Sequence, residues 1–146
     1  MREILFRGKS IDSGEWVYGV PVIAKDNIAD KDMTVLVDNP NEIVPREGLP
    51  LFEQIDPETV GQYTGLKDGN GTRIFEGDIL IYVVDGEYDV NEKYLVVFVD
   101  DEAAFKVRFY YIGKFACYDD IAPCEKLEII GNIHDNPELL EGEDNG

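Results

Sequence analysis

The residues of this chain that could do chemistry are few, and each set fails a geometric requirement. Asp68-Gly69-Asn70-Gly71 resembles the opening of a calcium loop, but loop position six demands glycine and holds Arg73, and position twelve demands a bidentate glutamate and holds Ile79. That run reads as a turn. A cysteine or serine nucleophile needs a histidine base, and the single histidine, His134, sits at a predicted strand end beside Asp135. A zinc site needs four ligands, and only His134 could join Cys117 and Cys124. Glu76 with Asp78, or Asp100 with Asp101, could bind a divalent cation or serve as acid and base. Among 31 acidic residues, chance adjacency accounts for such pairs. No Gly-x-x-x-x-Gly-Lys phosphate loop or dinucleotide fingerprint occurs, because the glycine-rich run leads into a strand rather than a helix. No residue is therefore assigned a catalytic, cofactor-binding or metal-binding role, no cofactor is expected, and the chain reads as non-enzymatic.

Charge is the other strong signal. Against 31 acidic residues stand 13 basic ones, a net charge of −18 over 146 residues. Residues 1–50 carry 9 acidic and 6 basic groups, residues 51–100 carry 11 and 3, and residues 101–146 carry 11 and 4. Such a field repels phosphate and forgoes the counterion release that drives nucleic-acid binding, so no direct nucleic-acid partner is expected. It fits either plain solubility or an acidic surface that engages a basic partner. The chain has no run of eighteen apolar residues, and its N-terminus leads straight into charged, strand-like sequence. A cytoplasmic protein without membrane contact is expected, with both cysteines as thiols.

The elements that must position these residues are strands. At 146 residues and 44% hydrophobic content, one compact domain is the default, or a barrel with a smaller subdomain. Asp68-Gly69 and Asn70-Gly71 reverse the chain, Glu76-Gly77-Asp78 bends it again, and Ile79 to Val84 reads as a buried strand. Alternation predicts strands over Glu3 to Arg7 and Glu15 to Val20, paired as a hairpin with Trp16 and Tyr18 on one face. Pro21 opens a more irregular region, and Thr34 to Val37 is a strand. Residues 38–57 hold Pro40, Pro45, Pro50 and Pro57 and read as a long connection. Further strands are expected near Tyr94 to Val99, Phe105 to Tyr111 and Leu127 to Ile133. Pro137 to Leu140 forms a helical turn with Asn136 as its N-cap, and residues 141–146 are an acidic, frayed tail.

Three segments carry a family resemblance: Arg2-Glu3-Ile4-Leu5-Phe6-Arg7-Gly8 with Trp16-Val17-Tyr18-Gly19, the stretch from Gln62 to Leu80, and Gly131-Asn132-Ile133-His134-Asp135-Asn136-Pro137-Glu138-Leu139-Leu140. Together they resemble the YopX family of phage and prophage proteins, over nearly the whole chain from Met1 to about Leu140. The resemblance implies a small β-rich protein of phages of low-GC Gram-positive bacteria, with an SH3-like barrel at its core. It implies no known activity. One departure is local: Val99 to Lys114 lacks the compact glycine-turn-aromatic hairpin of the family, and Asp100-Asp101-Glu102 stands in as the turn.

The expectation is thus a mainly β protein. Residues 58–140 form the SH3-like β-barrel domain, residues 1–57 an N-terminal β segment and connection packed on it, and a short helical turn follows near the C-terminus. Phe105, Phe109, Tyr110, Tyr111, Phe115 and Tyr118 should mostly fill the core. Yet Phe109-Tyr110-Tyr111 puts aromatics on both strand faces, so one face must be covered by another segment, a subunit or a partner. The functional expectation is an accessory protein that binds a host or phage protein, with homo-oligomerisation open. The alternative is an acidic DNA mimic that inhibits a nucleic-acid-binding protein of the host. A carboxylate- and metal-dependent enzyme ranks behind both.

Overall fold

The computed structural model of the chain describes residues 3–26, 31–37, 52–89, 91–111, 114–121 and 124–141. The protein is mainly β and antiparallel throughout, and it divides into two compact units, Met1–Tyr63 and Thr64–Gly146.

In the first unit, the predicted hairpin is present as β1 (Phe6–Lys9) paired with β2 (Trp16–Asp26), Lys9 opposite Trp16 and Phe6 opposite Gly19. Pro21 does not end β2, contrary to the sequence reading. The last β1 pair is at Gly19, so the N–H that proline lacks costs no ladder bond on that side, and β2 runs on against β3 (Lys31–Val37). The long connection is also more ordered at its end than expected: β4 (Phe52–Gln54) pairs with β3, and residues 38–51 lie outside the described part. Ile55 explains why. Its side chain is 1% exposed, its backbone bridges Ser10, and a Cβ on Gly8 would come within 2.6 Å of its Cδ1. Gly8 is therefore a packing glycine. A 3-10 turn over Pro57–Thr59 follows, and β5 (Gly61–Lys67) begins against β1.

In the second unit, the end of β5 precedes the turn at Asp68 to Gly71, and Thr64 Oγ1 donates to the Ile74 carbonyl on β6 (Arg73–Phe75) at 2.8 Å. The remaining strands are β7 (Asp78–Val84), β8 (Glu87–Tyr88), β9 (Glu92–Val99), β10 (Ala104–Tyr111), β11 (Lys114–Asp119) and β12 (Leu127–Asn132). Five of them form a sheet in the order β11-β10-β9-β7-β12, with β8 on β7 as a hairpin. Among the described residues this sheet does not close: β11 and β12 are its two ends, where the sequence reading placed an SH3-like barrel. Asp100 to Glu102 does form the turn between β9 and β10, a 3-10 turn closed by Ala103 at φ 49°.

Both faces of this sheet are packed, which is why β7 and β9 read as continuous apolar runs rather than alternating ones. On one face lie Ile74, Leu80, Tyr94, Val96, Val107 and Leu127, with Leu80 and Val96 fully buried at roughly 1.5–3 kcal/mol each. Tyr94 stacks on Phe109 at 5.2 Å and meets Tyr82 edge-on at 5.4 Å. On the other face, Ile79 and Leu95 are covered by Leu139 and Leu140 from the predicted turn over Pro137–Leu140, a 3-10 turn. Asn136 does not cap that turn with its side chain. Its Oδ1 instead accepts from the Asn132 N–H at 3.3 Å, while Asn132 Oδ1 accepts from the His134 and Asp135 N–H groups at 3.0 and 2.9 Å. Gly131 makes room for this corner, since a Cβ there would lie 2.6 Å from Asn136 Oδ1.

The glycine-rich turn is tied to the same region. Asp68 is buried, its Oδ1 accepts from the N–H groups of Asn70 and Thr72, both at 2.9 Å, and its Oδ2 accepts from Ile129 N–H on β12 at 3.1 Å. Gly69 N–H adds a bond to the Leu127 carbonyl at 2.8 Å.

Two substitutions in this turn separate its contributions. Asp68→Ala strands three backbone donors and should lower stability by roughly 3 kcal/mol. A Cβ at Gly71 meets nothing within 4 Å, so Gly71→Val should cost mainly the strain of φ +80°, about 1–2 kcal/mol. Denaturant midpoints in the reverse order would overturn the account.

Burial first, and then the Glu92 carboxylate that accepts from its hydroxyl at 3.4 Å, raise the pKa of Tyr94 well above the ordinary 10.0. A raised phenol keeps its proton when folded, so its contribution is complete below pH 10 and fades as the unfolded chain ionises above it. Stability should therefore fall from about pH 10 upward, and Tyr94→Phe should flatten that decline in urea melts at pH 9 to 11. An unchanged slope would assign the decline to other groups.

Candidate functional site

The residues with chemical potential in the sequence do not converge. Cys117 is an exposed free thiol on β11, and His134 follows β12. These strands are the two ends of the five-stranded sheet, four steps apart, or roughly 19 Å at the usual strand spacing. Cys117 and His134 therefore do not pair. The Cys124 backbone lies in a 3-10 turn, Cys124–Lys126. Asp68 spends its carboxylate on backbone donors, and buried Asp78 accepts from Phe75 N–H at 2.7 Å. Asp100 and Asp101 are exposed in the β9–β10 turn. Among the described residues no group of three or more His, Cys, Asp or Glu could hold a metal ion, and no helix is long and apolar enough to cross a membrane.

What the fold does assemble is a cluster of aromatic rings around an arginine. β10 alternates cleanly against β9, with Val107 opposite Val96 and Arg108 opposite Leu95. Phe105, Val107 and Phe109 therefore join the core, while Lys106, Arg108 and Tyr110 point to the other face. β11 adds Phe115 opposite Tyr110 and Tyr118 opposite Arg108 on that face. The Arg108 guanidinium carbon lies 4.6 Å from the Phe115 ring centroid and 5.5 Å from that of Tyr110. Phe115 in turn meets Tyr118 edge-on at 5.3 Å and Tyr110 at 6.1 Å.

This cluster is only partly covered. Phe115 is 44% exposed and Tyr118 51%, and Arg108 and Tyr118 border an open cavity of about 410 Å³ beside Asp100 and Asp101. In a chain of 31 acidic residues, Arg108 forms no ion pair among the described residues, and its buried Nε has no hydrogen-bond partner. Its neighbour on the strand is different. Lys106 binds Glu102 at 3.1 Å and Asp120 at 3.3 Å, hydrogen bonds that raise its pKa. Four of the seven basic residues after position 63, Lys93, Lys106, Arg108 and Lys114, lie on β9, β10 and β11. The aromatic surplus was visible in the sequence, but the pairing with Arg108 was missed. Strand alternation over Arg108-Phe109-Tyr110 was the signal that could have found it.

The first unit has a smaller arrangement of the same kind. The Arg7 guanidinium carbon lies 4.5 Å and the Lys9 ammonium 5.5 Å from the Trp16 ring, on the face that Tyr18 shares. Arg7 is buried there and makes further contacts, so this set belongs to the packing of β1 on β2.

A two-unit protein of antiparallel sheets, with an exposed aromatic-arginine face and no converging catalytic groups among the described residues, is in class a mainly β protein. Its family follows from comparison: the profile described as YopX protein matches residues 5–141, and the chain belongs to the YopX family. The crystal structure of protein EF1440 from Enterococcus faecalis is similar at 24% identity. The match covers 97% of this chain and 100% of that one, with a TM-score of 0.55, and it shows likeness of fold. No curated protein matches the chain.

If Arg108 is not part of the folding machinery, replacing it should be harmless to stability. Arg108→Leu loses two cation–π contacts of about 0.5–1 kcal/mol each and removes an unsatisfied buried donor that costs about as much. The denaturant midpoint is expected to stay level or rise. A loss above about 2 kcal/mol would make Arg108 a structural residue.

Proposed function

We propose that the chain is a non-enzymatic accessory protein of a phage or prophage, working in the host cytoplasm, that acts by binding another protein through the Arg108, Tyr110, Phe115 and Tyr118 face. The carrying observation is the Arg108 guanidinium, its Nε without a hydrogen-bond partner, held against the partly buried Tyr110 and the exposed Phe115. Tyr and Arg dominate binding hot spots because they offer large contact area and directional donors at low entropic cost. A guanidinium already stacked on two rings is also preorganised for a carboxylate. Within the same proposal, the second unit is an opened SH3-like arrangement, in which the run β9-β10-β11 leads through the 3-10 turn at Cys124–Lys126 to β12, back against β7.

The second reading, an acidic DNA mimic, is favoured by the net charge of −18, with 19 of the 31 acidic residues but only 7 of the 13 basic ones after position 63. The two readings differ in their dependence on salt. Contact through aromatic rings survives screening, whereas contact through exposed carboxylates weakens steeply once the Debye length falls to about 3 Å near 1 M salt.

A pull-down from lysate of a Gram-positive host, at low and at high salt, compares wild type with Arg108→Leu and Tyr118→Ala. A protein captured at both salt levels and lost with either substitution supports the first reading. Nucleic-acid-binding proteins captured only at low salt, whichever variant is used, support the mimic.

A further inference from the structure

β11 is an end strand of its sheet, pairing with β10 alone among the described residues, and Lys114, Phe115, Cys117, Tyr118 and Asp119 on it are all exposed. Its sequence, Lys114-Phe115-Ala116-Cys117-Tyr118-Asp119, is chemically self-complementary when read against itself in reverse. Lysine meets aspartate at both ends, phenylalanine meets tyrosine inside them, and alanine meets cysteine at the centre. In a regular strand that symmetry would be useless. Residues an odd number of positions apart point to opposite faces, so Lys114 could not face Asp119 of an identical antiparallel strand, nor Phe115 face Tyr118.

The irregularity in β11 removes this obstacle. The register shifts at Ala116: Phe115 lies opposite Tyr110, but Cys117 lies opposite Phe109. Phe115 and Tyr118 consequently share the face of Tyr110 and Arg108, and Lys114, Cys117 and Asp119 share the face of Tyr111, Phe109 and Val107. The edge-on contact of Phe115 with Tyr118 at 5.3 Å is the direct sign of it. With the bulge in place, the lysine–aspartate and phenylalanine–tyrosine pairs match face to face across a two-fold axis perpendicular to the sheet.

We propose that the occupant of the exposed β11 edge is a second copy of this chain, joined to the first by antiparallel pairing of β11 with β11. Lys114 of each copy stands opposite Asp119 of the other, and Phe115 opposite Tyr118. Two opposite-charge pairs and two aromatic pairs are the units that stabilise an antiparallel ladder. On the aromatic face the contact extends the Phe115–Tyr118 array across the axis, beside the Arg108 of each copy. Cys117 of each copy falls next to the axis on the opposite face. At strand spacing its Cα lies roughly 6 Å from its counterpart, within disulfide reach. Because the copies carry −18 each, their long-range repulsion opposes this contact and salt relieves it. This deepens the binding role of the face and rests on that reading for the claim that the face exists to be covered.

The test is a pair of charge reversals. Wild type in light scattering should show twice the 16.5 kDa monomer mass, more completely at 0.5 M than at 0.05 M salt. Lys114→Asp and Asp119→Lys each place like charges opposite each other twice, and each should weaken the dimer at least about tenfold. Mixed in equal amounts, they should restore it. The new aspartate of one variant then faces the new lysine of the other, and the retained Asp119 of the first faces the retained Lys114 of the second. A disulfide-forming oxidant should also cross-link Cys124→Ser protein through Cys117 into a covalent dimer, a readout that needs no change in β11. Wild type that stays monomeric up to about 1 mM, variants that dimerise alone, or a mixture that fails to assemble beside an absent cross-link would overturn the proposal. The bulge and Lys114 would then be protection of a bare edge. A monomer that still captures a partner in an Arg108-dependent way sinks the self-pairing and spares the binding role. A dimer that captures nothing at any salt sinks the separate partner and spares the self-pairing.

Discussion

The second unit depends on one carboxylate. Asp68 is buried and accepts three backbone N–H groups, two from its own turn and one from Ile129, 61 residues along the chain. These are bonds from part-buried donors to a charged acceptor, the stronger kind at about 1.5–3 kcal/mol each. The bond to Ile129 fixes where β12 can lie against β7, and therefore where the Asn132 corner begins. From that corner the chain folds back so that Leu139 and Leu140 cover Ile79 and Leu95. That cover extends to Val97 and Tyr110 and no further. Among the described residues, the four-residue 3-10 turn shields the middle of the five-stranded sheet and leaves its far edge, with Arg108 and β11, open.

The distribution of charge follows the same division. Carboxylates occupy turns and outer positions, as at Asp85, Glu87 and Asp89 or Asp100 to Glu102, where hydration is undisturbed. Cations gather on β9 to β11. A protein carrying −18 gains solubility and loses indiscriminate contact with other acidic surfaces, its own included. Against such a background, a local site that joins apolar rings to a cation is where association is least opposed. Ring contacts are short-ranged and insensitive to the net field, while the guanidinium offsets part of the repulsion where the surfaces meet.

How much of this was legible in the sequence depended on whether local rules and tertiary contacts agreed. The hairpin of β1 with β2 follows from alternation, the strands β7, β9, β10 and β12 from strand-forming runs between turn signals, and the Asp68 to Gly71 turn from turn chemistry, while Asp100 to Glu102 was expected as the stand-in for a hairpin of the family. β4 did not, because three residues between prolines carry no period, and it is Ile55 burial and pairing to β3 that hold them extended. Pro21 misled for the opposite reason: its missing donor was a local signal that the absence of a β1 neighbour made harmless. Asn136 looks like a helix cap in sequence, but its side chain is drawn back to Asn132 by a corner whose tightness only Gly131 permits. The expected barrel failed at closure, a global property that strand lengths and turns alone do not determine.

The segments that carry the family resemblance turn out to be scaffold. Asp68 and the glycines around it, Gly131, Asn132 and Asn136 hold a corner, and Gly8 admits Ile55. Each has a steric or hydrogen-bonding reason that any protein of this fold must meet, whatever it binds. β11 lies outside all three segments, and like β4 it was a strand that the sequence reading missed. Both facts have one physical origin. A bulge breaks the two-residue period by which a strand is recognised, so Lys114 to Asp119 shows no alternation to read. The same bulge is what turns Phe115 and Tyr118 to one side and sets them beside Arg108. At the end of the sheet, a strand that departs from regularity turns two exposed rings toward the face on which β10 already carries Arg108. The part of the sequence least legible as structure is therefore the part with most freedom to carry function.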